Sequence, residues 1–588
     1  MDRTPVIVVA GLWRRTTTIR FVNKATFSDI ILADSQMDVT RARGWISACE
    51  NNHGDTCNPR WSLSSVAAIP GLEVLRLIDV VSECLVEARE PCRYLTLSYV
   101  WGGVNNVRLT SNKKNSLMEK GVFRTIWHLL PRTIKDAIEV VRALGERFLW
   151  VDALCLVQND AVDMQNGIEM MDLIYERAAL CLIAASGDSA NAGLPGARLG
   201  NRFVMSHVEQ ILPGIQLVVY NELDHVLRSS TYNRRGWTFQ EQYLSRRALY
   251  FTEDEVYFRC RESTWSEKQM DRLPLPNNSE FTNTLLPLAW TYPPEGEYRT
   301  ILLYYTPRVL TNQQDALLAM AGIIRRLSSK MQSRFFQGIP VAAFDTFLVF
   351  QSNGGLLRRR QGFPSYSWCG WIGPVIFDEP YEENDWLSDK TWIIWYKRSS
   401  SGSTNLVWDI LANETFPVAD MNFVGYRRRS PFGDRHALKF PTSRTAPTQE
   451  HYFEREFPTY QILQFWTLAV YLSISNVQVF HASAFIRDRF GRKCGQIWMD
   501  GFEETTFFEM KSPLEFILLS EREKERNFRD GKDIEEVYQS RRTSRDYNVI
   551  LLEWNEGIAE RRGFGIIDKE AVERSFAPGP LWKEIFLA

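Results

Sequence analysis

The segment Tyr94-Leu-Thr-Leu-Ser-Tyr-Val-Trp-Gly-Gly103 runs an apolar strand straight into a Ser-Tyr, Trp-Gly corner, the kind of strand end that builds sites. Two further stretches share its logic. Phe148-Leu-Trp-Val-Asp-Ala-Leu-Cys155 places an acid at the end of an apolar run, and Arg235-Gly-Trp-Thr-Phe-Gln-Glu-Gln242 sets a tryptophan and a carboxylate four residues apart. From Tyr94 to Ser186 strand and helix alternate, the signature of a mainly parallel sheet covered by helices. The strands are expected at Tyr94 to Tyr99, Phe148 to Val151 and Ala179 to Ala185. A helix is expected from about Thr133, with Pro131 and Thr133 as start signals, Asp136 as a capping partner, Ile134, Ile138, Val141 and Leu144 on one side, and Gly145 as the stop. A second helix is expected over Asp163 to Arg177, with Met170 and Met171 as core filling.

In open α/β sheets ligands bind outside the carboxyl ends of the strands. That rule selects Ser98, Tyr99, Trp101 and Gly102 after the first strand, Asp152 after the second, and Ser186 with Gly187 after the third. A short helix from Gly236 to Leu244 follows, then strands at Ala248 to Phe251 and Glu255 to Cys260. The Pro-, Asn- and Glu-rich stretch 266–300 marks a boundary, and helical texture returns at Asp315 to Lys330. From about residue 365 the chain is strand-rich, with a hairpin from Tyr547 to Trp554, a turn at Asn555-Glu-Gly557 and a return strand to Ile567. The regions expected are 1–90, an N-terminal extension; 91–262, the α/β domain; 263–360, a partly helical connection; and 361–588, a strand-rich α+β domain. The mixed-charge run Glu521 to Arg545 reads as a solvated helix or loop.

At 588 residues with 45% apolar content the chain has material for two or three cores. A formal net charge of -2 gives no bulk attraction to nucleic acid, so no nucleic-acid partner is expected. Pro5 to Trp13 is too short for a membrane helix and reads as a strand, and Arg14, Arg15 and Arg20 follow it where a secretory signal would have them precede it. The expectation is an intracellular, cytoplasmic protein with no integral membrane segment. Nine scattered cysteines without C-x-x-C spacing fit reduced, mostly buried thiols. His53-x-x-x-Cys57 comes nearest to metal-ligand spacing, but no second pair at a suitable interval completes four ligands, and no metal is expected. The glycines at 187, 193, 196 and 200 lack dinucleotide-fingerprint spacing and read as a loop.

Leu97-Ser-Tyr-Val-Trp-Gly102, Leu130-Pro-Arg-Thr-Ile-Lys-Asp-Ala137, Trp150-Val-Asp-Ala-Leu-Cys155 and Arg235-Gly-Trp-Thr-Phe-Gln-Glu241 resemble, in order and interval, the motifs of the HET (heterokaryon incompatibility) domain proteins of filamentous fungi. The resemblance covers roughly residues 94 to 245. It implies a TIR-like, flavodoxin-like mostly parallel sheet flanked by helices, and a place in allorecognition, innate immunity and programmed cell death. The partners implied are an incompatibility protein and other copies of this chain. Neither a P-loop nor ankyrin or WD repeats accompany the domain.

HET domains are distantly similar to TIR domains, whose enzymatic members cleave NAD with a helical glutamate four residues after a tryptophan. Trp237 and Glu241 have that spacing, which puts both on one helix face. The resemblance therefore implies Glu241 as the catalytic carboxylate, with Ser98, Tyr99, Trp101, Gly102, Asp152, Arg235 and Trp237 binding substrate. NAD enters as substrate, with no cofactor. Plainer readings of the same residues stand beside these. Glu241 also fits a surface carboxylate pairing with Arg246 or Arg247, Asp152 a backbone cap at a strand end, and Tyr99 or Trp101 core packing. Ser98 has no nucleophile elbow around it, and Cys155 reads as a buried inert thiol. A non-catalytic module that signals by self-association is the competing function.

Overall fold

A computed structural model describes residues 6–11, 15–23, 35–58, 74–89, 92–104, 107–202, 208–212, 215–268, 275–276, 294–331, 333–354, 357–377, 393–407, 447–448, 453, 456–478, 482–501, 513–523 and 545–588. The chain forms two compact units, Met1–Pro293 with Leu318–Ile323, and Pro294–Leu317 with Ile324–Ala588.

In the first unit the strands are β1 (Leu75–Asp79), β2 (Cys84–Ala88), β3 (Tyr94–Ser98), β4 (Phe148–Trp150), β5 (Leu180–Ala184), β6 (Arg247–Phe251), β7 (Val256–Cys260), β8 (Ser263–Ser266) and β9 (Leu275–Pro276). They form one sheet in the order β9-β8-β7-β6-β5-β3-β4-β1-β2. The four central strands β6, β5, β3 and β4 run parallel to one another. Every other pairing is antiparallel.

The sheet is thus mixed, where the sequence pointed to a mainly parallel one. One antiparallel edge is local, since the tight turn after Phe251 folds β7 back on β6; at the other edge β1 pairs with β4 across a long stretch of chain and carries β2 with it through the turn after Asp79. All residues of β3, β5, β6 and β7 are buried, as strands covered on both faces must be. The N-terminal apolar run contributes Val6–Gly11 to a separate four-stranded sheet with Arg15–Asn23, Ile215–Asn221 and Val208–Leu212.

Four helices matter to the site: α1 (Val39–Asn52), α2 (Arg132–Leu144), α3 (Ala161–Arg177) and α4 (Gly236–Leu244). Helix α2 buries Ile134, Ile138, Val141 and Leu144 against β3 and β4, and stops at Gly145 in the left-handed conformation, as the pattern indicated. Its start differs from the expected capping box, because Pro131 caps the helix and Thr133 lies inside it. Thr133 and Asp136 turn instead to the 187–200 loop, where Thr133 Oγ1 accepts from Gly193 N at 3.0 Å and Asp136 Oδ2 from Leu194 N at 2.9 Å. In α3 the cap is Asp160, which accepts from Val162 N and Asp163 N. Met171 is buried there, as core filling requires.

The second unit is strand-rich. Strands β10 (Ile462–Gln478), β11 (Ser483–Arg487), β12 (Lys493–Met499), β13 (Leu514–Glu523), β14 (Arg545–Asn555) and β15 (Ile558–Asp568) pair in the circular order β10-β11-β12-β15-β14-β13, and β13 pairs back onto β10. That pairing closes the six strands into a barrel. The hairpin β14–β15 turns at Glu556-Gly557, both with positive φ, while Asn555 pairs with Ile558. Most of the charged run Glu521 to Arg545, and most of the boundary stretch 266–300, lies outside the described residues. Among the described residues no helix is long and apolar enough to cross a membrane.

Inside the second unit Arg561 and Asp500 are both fully buried. The guanidinium donates to Asp500 Oδ2 at 2.5 Å and to Oδ1 at 3.0 Å, and also to the carbonyls of Leu348 and Phe350. Removing one partner leaves an uncompensated charge in the interior. Arg561→Leu is expected to destabilise this unit by about 3–5 kcal/mol, read from its denaturant midpoint, and loss of less than about 1 kcal/mol would contradict the assignment.

Candidate functional site

The three motif stretches meet at the carboxyl ends of the parallel strands. β3 ends at Ser98, a residue with no exposed surface. Helix α4 packs against β3 and α3, which brings Glu241 over that strand end. Ser98 Oγ donates to Glu241 Oε2. The hydroxyl of the fully buried Tyr232 lies 2.7 Å from Ser98 Oγ and completes a Tyr–Ser–Glu chain. Tyr175 of α3 donates to Leu97 O at 3.1 Å and also faces the Glu241 carboxyl.

Beyond β4 the chain enters a single helical turn, Asp152–Cys155, and Asp152 does two jobs there. Its Oδ1 accepts from Ala153 N at 2.7 Å, and its Oδ2 accepts from the Trp101 indole at 2.9 Å. The backbone cap and the tie between two motifs are therefore made by one carboxyl group. Arg108 covers the other part of Trp101, its guanidinium carbon 5.0 Å from the ring centre. Tyr99 is buried as core, and its hydroxyl stands near Asp152 outside normal hydrogen-bond geometry.

Glu241 is only 7% exposed. Burial pushes its carboxyl up to about 7 and the neighbouring Asp152 charge adds to the rise, against the Ser98 hydroxyl and Arg235, which favour the anion. Burial likewise pushes Asp152 up to about 6, opposed by the Ala153 amide, the Trp101 indole and Arg235. Two buried acids pushed toward neutral pH, one of them raised further by the other, are a feature that clusters at functional sites, because ordinary surface carboxylates do not need such an arrangement. Pairing of Glu241 with Arg246 or Arg247, the plain reading of the sequence, is not what is observed. Arg246 bonds Glu176 at 3.0 Å, and Arg247 bonds Asn58 and Cys49.

Of the residues selected from sequence, Ser98, Trp101, Asp152, Arg235 and Glu241 interact directly or electrostatically as one group. Trp237 precedes Glu241 by one turn in α4 and is half-buried. Gly102 serves the backbone: at φ +65° it passes so close to the next loop that a Cβ would stand 2.4 Å from Ser189 Cβ and 2.5 Å from Asp188 O. Cys155 is buried with its Sγ receiving Val151 N at 3.4 Å, as an inert thiol would be. Tyr232 escaped the sequence reading, although it lies only three residues ahead of Arg235, and Tyr175 reads from the sequence only as part of the apolar face of its helix.

The cysteines also depart from expectation in one respect. None is in a disulfide and all but the half-buried Cys92 are buried, as anticipated. His53 and Cys57, however, do acquire the two further partners that spacing alone did not supply, since Cys49 and Cys260 join them with all four ligand atoms within 4.8 Å. Cys49 lies one turn before His53, so Cys-x-x-x-His-x-x-x-Cys was the available signal; the fourth member arrives only through the fold.

Two outcomes follow from this geometry. Gly102→Ala is expected to lower the stability of the first unit by more than about 1 kcal/mol in equilibrium unfolding, through positive φ and collision together; an unchanged midpoint would show that the loop gives way. The second concerns pH. A folded carboxyl that keeps its proton to higher pH than the unfolded one makes stability fall as pH rises from 4.5 through about 7. Glu241→Gln should flatten that fall in thermal melts and be the more stable form above the window, whereas an unchanged slope would mean that Glu241 titrates normally.

No curated protein matches the chain, and no solved structure does. The family model described as "Heterokaryon incompatibility protein (HET)" matches residues 94–241, from the first residue of β3 to the glutamate of α4. The span begins and ends on the two elements that the Ser98–Glu241 hydrogen bond joins, and over it the chain carries a HET (heterokaryon incompatibility) domain.

Proposed function

We propose that the HET domain is the effector part of a heterokaryon-incompatibility and cell-death response, and that it cleaves NAD or a related nucleotide at the N-glycosidic bond. The observation that carries the reading is the buried Glu241 carboxyl, held over the end of the first parallel strand by Ser98 and raised further by the Asp152 charge. Further support comes from the strand order. Taken in sequence, the four parallel strands lie as second, first, third and fourth, the order of flavodoxin-like sheets, whose ligands bind beyond the carboxyl end of the first strand. Here that end is Ser98.

Nicotinamide linked to ribose is already a cationic leaving group. Its departure leaves an oxocarbenium-like sugar, which an ionised carboxylate stabilises by charge or by binding the ribose hydroxyls. With its carboxyl pushed up to about 7, Glu241 changes charge around neutrality. Ser98 and Tyr232 orient it through hydrogen bonds, and Arg235, at the start of α4, adds positive charge that favours the anion. Asp152 fixes the Trp101 indole as a flat surface beside the acids. The second reading, a non-catalytic module acting by self-association, has one observation in its favour: the Glu241 carboxyl is already engaged inside the protein by Ser98.

Purified protein incubated with NAD is expected to release nicotinamide at a rate that rises with pH through about 7, as the anion of Glu241 forms. Glu241→Gln should lose about two to four orders of magnitude while remaining folded. Wild-type protein that releases no nicotinamide even when concentrated, together with Glu241→Ala that still kills cells on overexpression, would overturn catalysis and leave the self-association reading.

A further inference from the structure

Four side chains, all outside the family-matched span, converge on one point at the edge of the first unit. Cys49 is in the last turn of α1, and His53 ends that helix, its N–H bonded to Cys49 O at 3.1 Å. Gly54, at φ +46°, then redirects the chain into the single turn Gly54–Cys57, which carries Cys57 back to the same side. Cys260 is the last residue of β7. The imidazole Nδ1 of His53 is 3.2 Å from Cys260 Sγ and 4.0 Å from Cys57 Sγ.

We propose that Cys49, His53, Cys57 and Cys260 bind a structural zinc ion. Three sulfurs and one imidazole nitrogen form a standard closed ligand set for zinc, with no position left for substrate. Bonds of about 2.3 Å to sulfur and about 2.0 Å to nitrogen give tetrahedral edges of about 3.5–3.8 Å, so the longest separations here need to shrink by only about 1 Å. Among the described residues no other group of this kind occurs.

The surroundings fit a charged centre better than a packed thiol cluster. Cys49, Cys57 and Cys260 have no exposed surface, yet a polar imidazole occupies the fourth corner. The ring lies against Trp265, 5.9 Å between centres. Arg247 Nε donates to Cys49 Sγ at 3.2 Å, the kind of outer hydrogen bond that orients a metal thiolate. The electrostatics also balance. Three thiolates and a neutral imidazole around a dication leave one negative charge, which the Arg247 guanidinium offsets, and the three thiol protons leave to solvent as the metal–sulfur bonds form.

A disulfide between any two of the thiols would strand the third and give the imidazole no role. Zinc would instead fasten α1, which precedes the HET domain in sequence, to β7, which follows it. The metal would then pin α1 onto the antiparallel side of the sheet, and this holds whether or not the domain is catalytic.

Full-length protein purified without chelator is expected to contain one zinc per chain by inductively coupled plasma mass spectrometry. Cys49→Ser with Cys260→Ser should abolish it, and His53→Cys, which offers a four-thiolate set, should retain it. Cobalt added to the chelator-stripped wild type should give thiolate charge-transfer and tetrahedral ligand-field bands, a readout that does not require any variant to fold. Wild-type protein that holds no zinc and gives no tetrahedral cobalt spectrum would overturn the proposal, as would zinc retained at full stoichiometry by the double variant.

Discussion

The hydrogen bond between Ser98 and Glu241 is the constraint around which the first unit is arranged. It joins the end of the first parallel strand to a helix that comes much later in the chain, and it does so where both partners are buried. A carboxyl group buried in this way is costly unless it is hydrogen-bonded. The protein meets that cost with Ser98, Tyr232 and Tyr175 on one side and the charge of Arg235 on the other. Asp152, tied to Trp101, adds a second acid close enough to influence the first. Replacing these groups by well-packed apolar residues would be the simpler route to a stable core, and the proposed catalytic role would give a reason for keeping them.

Much of this was visible in the residues themselves. The corner after β3 and the acid after β4 follow from apolar runs that end abruptly, and helix α2 follows from a regular apolar stripe and a stop glycine. The hairpin β14–β15 was equally plain, its turn moving only to Glu556-Gly557 because Asn555 still pairs. These features depend on neighbours in sequence. The antiparallel pairing at the β4 edge does not, since β1 joins it across some seventy residues of chain.

Long-range contacts account for the remaining misreadings. Thr133 and Asp136 resemble a capping box, yet their side chains hold a loop some sixty residues downstream, which local pattern has no means of showing. Glu241 looked like a partner for Arg246 or Arg247, but those arginines turn to Glu176, Asn58 and Cys49. The Cys–His quartet is the extreme case, with three members on consecutive turns and the fourth on a strand beyond the whole matched domain. A cysteine's neighbours are set by the fold and not by its spacing, and this protein uses that freedom on the antiparallel side of its central sheet.

The account rests on a buried glutamic acid that changes charge near neutral pH under the influence of a second acid. Its most direct test is the pH titration of the protonated-carboxyl infrared band that is present in the wild type and missing from Glu241→Gln. The account predicts a midpoint near 7, moving down when Asp152→Asn removes the neighbouring charge. A midpoint at the ordinary glutamate value of 4.5, indifferent to Asp152, would contradict it.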